Sequence, residues 1–142
     1  YTLKQMNEGE RLPYVIRERA TEQVIGSTSF YDMDESTAHL GHMFVAPEYV
    51  RRNIFPASMY SPLKFGFEKM GFEVVGFHVD KADVISMMAA EALGLEKVGE
   101  TRGDFVYMGN NESKIRDTVH LQLDVKRWEQ LTKPKLMTLM KD

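Results

Sequence analysis

Residues 39–94 constrain the fold of this chain more than any other stretch. They read as the end of a strand, a loop, a helix, a second strand and a second helix, each with its own punctuation. Thr37–Val45 is an extended run stopped by Pro47. Pro56 suits the first turn of a helix, where its missing N–H costs nothing. Met59, Leu63, Phe67 and Met70 recur at helical spacing, and Gly71 is a natural residue just past the helix end. Pro62 falls inside that run, where it removes a backbone hydrogen bond and is expected to kink the helix or delay its start. Residues 73–80 are strongly apolar, which predicts a central strand covered on both sides. Asp83 is a good N-cap; Ile85, Met88, Ala89, Ala92 and Leu93 predict one apolar helix face, and Gly94 its end.

The flanks supply strands. Residues 12–19 and Val24–Tyr31 predict a hairpin about the polar pair Thr21 and Glu22, followed by a polar loop over 32–36. Residues 95–101 and 105–108 predict short strands, with a turn over 109–113. Val119, Leu121, Leu123 and Val125 alternate with Thr118, His120, Gln122 and Asp124, the pattern of a half-buried strand. Residues 128–140 predict a short helical tail interrupted by Pro134. Strands first, then strand–helix–strand–helix, then strands again: this order predicts an α+β fold with a mixed, mostly antiparallel sheet. Its parallel element joins Thr37–Val45 to 73–80, and ligands favour such places, beyond the carboxyl ends of strands that feed into helices.

Composition narrows the function classes. The 142 residues suffice for one domain with a core, so a single domain over 1–142 is expected. A net charge of −3 without a basic run argues against nucleic acid as a partner. The absence of cysteine removes disulfides, thiol nucleophiles and cysteine metal sites. The four histidines, His39, His42, His78 and His120, form no HxxxH or HExxH pair, so no metal is expected. No apolar run reaches the ~18–20 residues that span a bilayer and no signal-peptide pattern opens the chain; no membrane partner and a cytoplasmic location are expected. A first residue of Tyr rather than Met points to a missing natural N-terminus.

Short motifs then follow in a set order: Ile25-Gly26-Ser27, His39-Leu40-Gly41-His42, Pro47-Glu48, Phe67-Glu68 with Gly71, Asp83-Val84-Ile85-Ser86, Leu93-Gly94, Arg116-Asp117-Thr118 and Arg127-Trp128. Between them, 98–102 carries a displaced form of an "EG..R" signature. In order and spacing this series resembles the RimJ/RimL type of the GNAT superfamily of N-acetyltransferases, over roughly residues 12–140. By the same resemblance, the family's usual first strand and first two helices, which shape the acceptor pocket, are expected to be missing or very short before Leu12.

The resemblance implies the GNAT fold, acetyl-CoA as cosubstrate, no metal, and direct transfer of acetyl to a primary amine. The acceptor would be a protein N-terminus or a small amine such as an amino acid, a polyamine or an aminoglycoside, and a homodimer is compatible with the type. Such transfer needs a neutral amine, a polarised thioester carbonyl and a proton for the departing thiolate. By resemblance, a backbone amide in Met43, Phe44 and Val45 would polarise the carbonyl, and the same strand edge would pair with the pantetheine arm. The family's pyrophosphate loop, "Q/R-x-x-G-x-G/A" at a helix N-terminus, corresponds here to 50–55 and contains Arg51, Arg52, Asn53, Ile54 and Phe55. Neither glycine is present; Asn53 tolerates a left-handed conformation, and Arg51 and Arg52 would offset the loss by binding phosphate, or else form a solvated basic turn.

Three further residues have two readings each. Ser86 matches the serine that protonates the thiolate, or bonds the backbone as part of a cap. Asp83 matches the family's Asn near the pantetheine, or is an N-cap. His39 stands where relatives carry a glutamate that helps deprotonate the amine, or is a surface strand histidine. Tyr60, Tyr107, Glu100 and Asp117 are other polar candidates, while Met59, Met70, Met87 and Met88 are expected in the core. Two rivals stand beside the enzyme: a catalytically degenerate GNAT-fold module that binds CoA weakly or acts through protein contacts, and an unrelated α+β binding domain.

Overall fold

The computed structural model describes residues 11–49, 55–109 and 112–140. The described strands are β1 (Arg11–Arg17), β2 (Val24–Tyr31), β3 (Thr37–Val45), β4 (Val74–Asp80), β5 (Glu96–Gly109) and β6 (Glu112–Asp124). Helix α1 (Phe55–Glu68) joins β3 to β4, and α2 (Val84–Ala92) joins β4 to β5. The described strands form one six-stranded sheet in the order β1-β2-β3-β4-β6-β5. Every neighbouring pair is antiparallel except β3 and β4, so the α+β, mixed-sheet expectation holds.

One face of the sheet carries the core. Phe30, Leu40, Val75, Val119, Leu121 and Leu123 are buried there against Met59, Leu63 and Phe67 of α1 and against Trp128 and Leu136 of the helical tail. Trp128 fixes the tail to α1: it stacks on Phe67 at 5.6 Å between ring centroids and donates its indole N–H to Glu68 at 3.2 Å. The tail runs as one α-turn (Val125–Arg127), a π-helical segment (Trp128–Thr132) and α3 (Lys133–Met140). Pro134 therefore does not interrupt it. The proline directly follows the π-helical turn, where the Lys133 N–H reaches back to the Trp128 carbonyl, so the regular α ladder is already shifted where its N–H is missing.

Other expectations need correction. Pro62 does not delay α1, which starts at Phe55 and includes it. The strands foreseen at 95–101 and 105–108 are one strand, β5, with a register shift between Thr101 and Phe105. The face foreseen for α2 holds only in part: Leu93 just past its end is buried as expected, but Ile85 and Met88 are 83% and 64% exposed and the buried helix residue is Ala90. Apolar residues surround this helix, so periodicity does not fix which side packs. The end contact does: Thr132 donates its hydroxyl to the carbonyl of Leu93 at 2.6 Å. Met59 is core, but Met70 and Met88 are exposed. β4 is central, as foreseen, yet not apolar on both sides. Val75 and Phe77 face the core, whereas the alternate positions are Gly76, the exposed His78 and the half-buried Asp80. No helix among the described residues is long and apolar enough to cross a membrane.

Candidate active site

The sheet forks in its middle. β3 and β4 pair only through Thr37 with Val74, Ala38 with Val75 and His39 with Gly76. Beyond that point β3 stays with β2 as far as the Gly26–Val45 pair, and β4 stays with β6 as far as Asp80–Thr118. The gap between them is a cleft of about 490 Å³. Leu40, Met59, Phe77 and Ala90 line it from the core side; Gly41, Met43, His78 and Arg116 line it further out; Asp80, Asp83 and Ser86 close one end.

That end is built by hydrogen bonds within the β4–α2 turn. Asp80 accepts the Ala82 N–H at 2.9 Å through its side chain, and its carbonyl accepts the Asp83 N–H at 2.9 Å. Asp83 caps α2: one carboxylate oxygen accepts the Ser86 N–H at 3.1 Å, the other the Ser86 hydroxyl at 2.6 Å. The cap and the helix dipole both favour a negative charge at this position.

The opposite wall is bulged. Ser27 pairs with Phe44 and Ser29 with Gly41, so Thr28 alone faces both His42 and Met43. His42 takes φ 52°, the left-handed conformation a bulge residue adopts. The Thr28 hydroxyl donates to the Gly41 carbonyl at 3.1 Å and holds the bulge in place. A bulge drops one residue out of the ladder, which releases a backbone amide beside the cleft from strand pairing.

All four histidines and Tyr31 gather on the sheet face away from the core. Ring centroids lie 4.8 Å apart for His39 and His78, 4.6 Å for His78 and His120, and 4.4 Å for Tyr31 and His42. Tyr31 stacks on His39 at 5.4 Å, and its hydroxyl is 3.3 Å from Nδ1 of His78. The Thr101 hydroxyl contacts His120 Nε2 at 2.5 Å. Desolvation, with the Asp32 carboxylate adding to it, pushes the Tyr31 phenol above its ordinary value, so it stays protonated at neutral pH. Desolvation and the Arg11 guanidinium hold the His42 imidazole below its usual value. The rings meet mostly edge-on or tilted, with only Tyr31 and His39 stacked, and no group of His, Asp and Glu among the described residues has the arrangement of a metal site.

Met43, Val45, Asp83 and Ser86 thus meet at one cleft. Phe44 alternates away from it and is 61% exposed. His39 does not line it; its ring lies over Gly76, and its Nδ1 is buried without a hydrogen-bond partner. Arg51, Arg52, Asn53 and Ile54 lie outside the described residues, and Phe55 opens α1. Among the other candidates, Glu100 binds Lys81 and Lys97, Asp117 accepts the Gly103 N–H, and Tyr60 packs on Trp128. Sequence reasoning missed His78, Tyr31 and Arg116. The signal for His78 was present: Gly76, His78 and Asp80 form a polar face at strand spacing within an apolar run.

A parallel strand pair that opens after three residues, with a bulge on one arm and a capped helix on the other, leaves a cleft in the sheet, and the sequence pattern of the acetyltransferase (GNAT) domain matches residues 1–96. The chain belongs to the GNAT acetyltransferase family. Solved structures of that family share the fold. A GCN5-related N-acetyltransferase from Brucella melitensis superposes with a TM-score of 0.79 at 18% identity, over 96% of this chain and 61% of that one. The dodecameric spermidine N-acetyltransferase from Vibrio cholerae gives 0.79 at 15% identity, over 90% of this chain and 72% of that one. No curated protein sequence matches the chain. The acetyl-CoA that GNAT enzymes use as cosubstrate suits the residues present: an apolar slot between strands, a bulged edge beside it and a capped helix at its end.

Proposed function

We propose that the chain is an N-acetyltransferase of the RimJ/RimL type that moves acetyl from acetyl-CoA to a primary amine by direct attack. The single observation that carries this is the fork between β3 and β4, which places the bulged edge at Met43 and the Asp83–Ser86 cap on opposite sides of one cleft. Acetyl-CoA would supply the activated acyl group. Met43, Phe44 and Val45 would pair with the pantetheine arm and turn an amide toward the acetyl carbonyl, where charge grows during attack. Asp83 would hold the arm's far wall. Ser86 would rotate its hydroxyl from Asp83 to the departing sulfur. Arg51 and Arg52, with the backbone of Asn53, Ile54 and Phe55, would bind the pyrophosphate. The acceptor is a small amine or a protein N-terminus; spermidine, the substrate named for the Vibrio cholerae relative, belongs in the first test panel.

Acetyl-CoA at millimolar concentration is expected to raise the melting temperature, because a ligand that binds only the native state stabilises it. The double variant Arg51→Ala, Arg52→Ala is expected to need more than tenfold more ligand for the same rise. Thiol release across an amine panel then separates catalysis from binding. No thermal shift would sink the enzyme and leave the degenerate module, which the missing glycines of segment 50–55 favour.

A further inference from the structure

We infer that His78 is the base that takes the proton from the acceptor amine, and that Tyr31 is the residue that positions it. This rests on the acetyltransferase proposed above and assigns the acceptor side of that cleft.

The geometry singles out one imidazole. Four histidines share this sheet face, but only His78 also lines the cleft, two residues past the last β3–β4 pair. Gly41 stands two residues past the same pair on the other arm, so the cleft mouth lies between Gly41 and His78. Both glycines at the fork give the rings close approach to the backbone. A Cβ on Gly41 would sit 3.3 Å from Tyr31 Cε1, and one on Gly76 2.8 Å from His39 Cδ2. The bare backbone at Gly41 lets Tyr31 cross from β2 over β3, so that its hydroxyl reaches Nδ1 of His78 on β4. The bare backbone at Gly76 lets His39 lie flat beneath, stacked on Tyr31 and beside His78. His39 serves as packing in this arrangement. Its enclosed Nδ1 offers an incoming amine nothing.

The contact with Tyr31 accommodates either tautomer, and the proposed role requires the one with the proton on Nδ1. With its proton on Nδ1, His78 donates to the phenol oxygen, and Nε2 is the basic nitrogen. In the transfer, the amine nitrogen bonds to the acetyl carbon while the carbon–sulfur bond breaks. The sulfur leaves with that electron pair, and the proton on nitrogen passes to Nε2. The phenol oxygen then steadies the imidazolium. Beside the His78 ring stand Tyr31 from β2, His39 from β3 and His120 from β6, and Asp80 of its own strand and Arg116 of β6 line the same cleft. The acceptor therefore approaches from the histidine-bearing face, opposite α1.

The test uses thiol release from acetyl-CoA with the best amine of the panel. His78→Gln is expected to lose a hundredfold or more in kcat/KM for the amine. It should keep the acetyl-CoA-induced thermal shift and lose the acid limb of the pH–rate profile. Added imidazole should restore part of the rate to His78→Ala. Tyr31→Phe should displace the acid limb, which a purely structural role would not do. An active wild type whose His78→Gln variant keeps both rate and pH profile overturns this assignment alone. A wild type stabilised by acetyl-CoA yet inert toward every amine overturns the catalytic proposal, and this one with it.

Discussion

Gly26 packs directly on the carbonyl oxygen of Phe44, so close that a Cβ on Gly26 would overlap that oxygen. Gly26 opposes Val45 in the β2–β3 pairing, and the Ala46 N–H is tied to the Ile25 carbonyl at 2.7 Å just beyond. The backbone here has nowhere to retreat. Replacing glycine by alanine ordinarily stabilises a chain by about 0.4–1 kcal/mol through the unfolded state, when the native backbone accepts the new side chain. Gly26→Ala should have the opposite sign and cost about 1–3 kcal/mol, because the obstacle is backbone and cannot swing aside. It should also displace the Met43–Phe44–Val45 edge and weaken the thermal response to acetyl-CoA. Urea denaturation with and without acetyl-CoA measures both; a variant at least as stable as the wild type would show that the strand yields.

Glu68 links α1 to the tail and gives stability a pH dependence. The hydrogen bond from the Lys133 ammonium, 3.0 Å away, is the main cause that holds its carboxyl below the ordinary value. Partial burial opposes this, and the Trp128 N–H at 3.2 Å assists it. The native state thus favours the ionised form. Its contribution is complete above the unfolded-state value, about 4.3, and is lost as pH falls through the lower native one. The group is partly solvated, so the effect is modest. Glu68→Gln keeps an acceptor for Trp128 and removes the titration. Its stability should decline less than the wild type's from about pH 5 downward. Urea midpoints across that range decide; parallel curves would assign the acid sensitivity elsewhere.

The sequence carried the strand order well because its signals were local. Pro47 after β3, Gly71 with φ 77° after α1, and Asp83 ahead of α2 each mark an end by backbone chemistry alone. Glycines at other places were less transparent. Gly41 and Gly76 look ordinary in the sequence, yet each leaves room for a ring from another strand. That is a tertiary demand no local rule exposes. The same holds for the histidines. His39 drew attention by its place in a motif, but which imidazole meets the cleft depends on where β3 and β4 part. Sequence fixes the types of residue at the fork; the register of the parallel pair decides which of them face the opening.

Ser86 and Asp83 separate structure from chemistry at the far end of the cleft. Asp83 accepts both the backbone N–H and the hydroxyl of Ser86, so removing either side chain perturbs the other. Asp83→Ala should cost about 1 kcal/mol through loss of the cap, whereas Asp83→Asn should cost little, since asparagine caps as well as aspartate. Ser86→Ala leaves the cap acceptor on Asp83 with the backbone N–H in place. It should therefore fold like the wild type and bind acetyl-CoA as tightly, but turn over more slowly if its hydroxyl serves the departing sulfur. Thermal shift gives affinity and thiol release gives kcat. Normal turnover in Ser86→Ala would remove the hydroxyl from the mechanism and leave it as half of a helix cap.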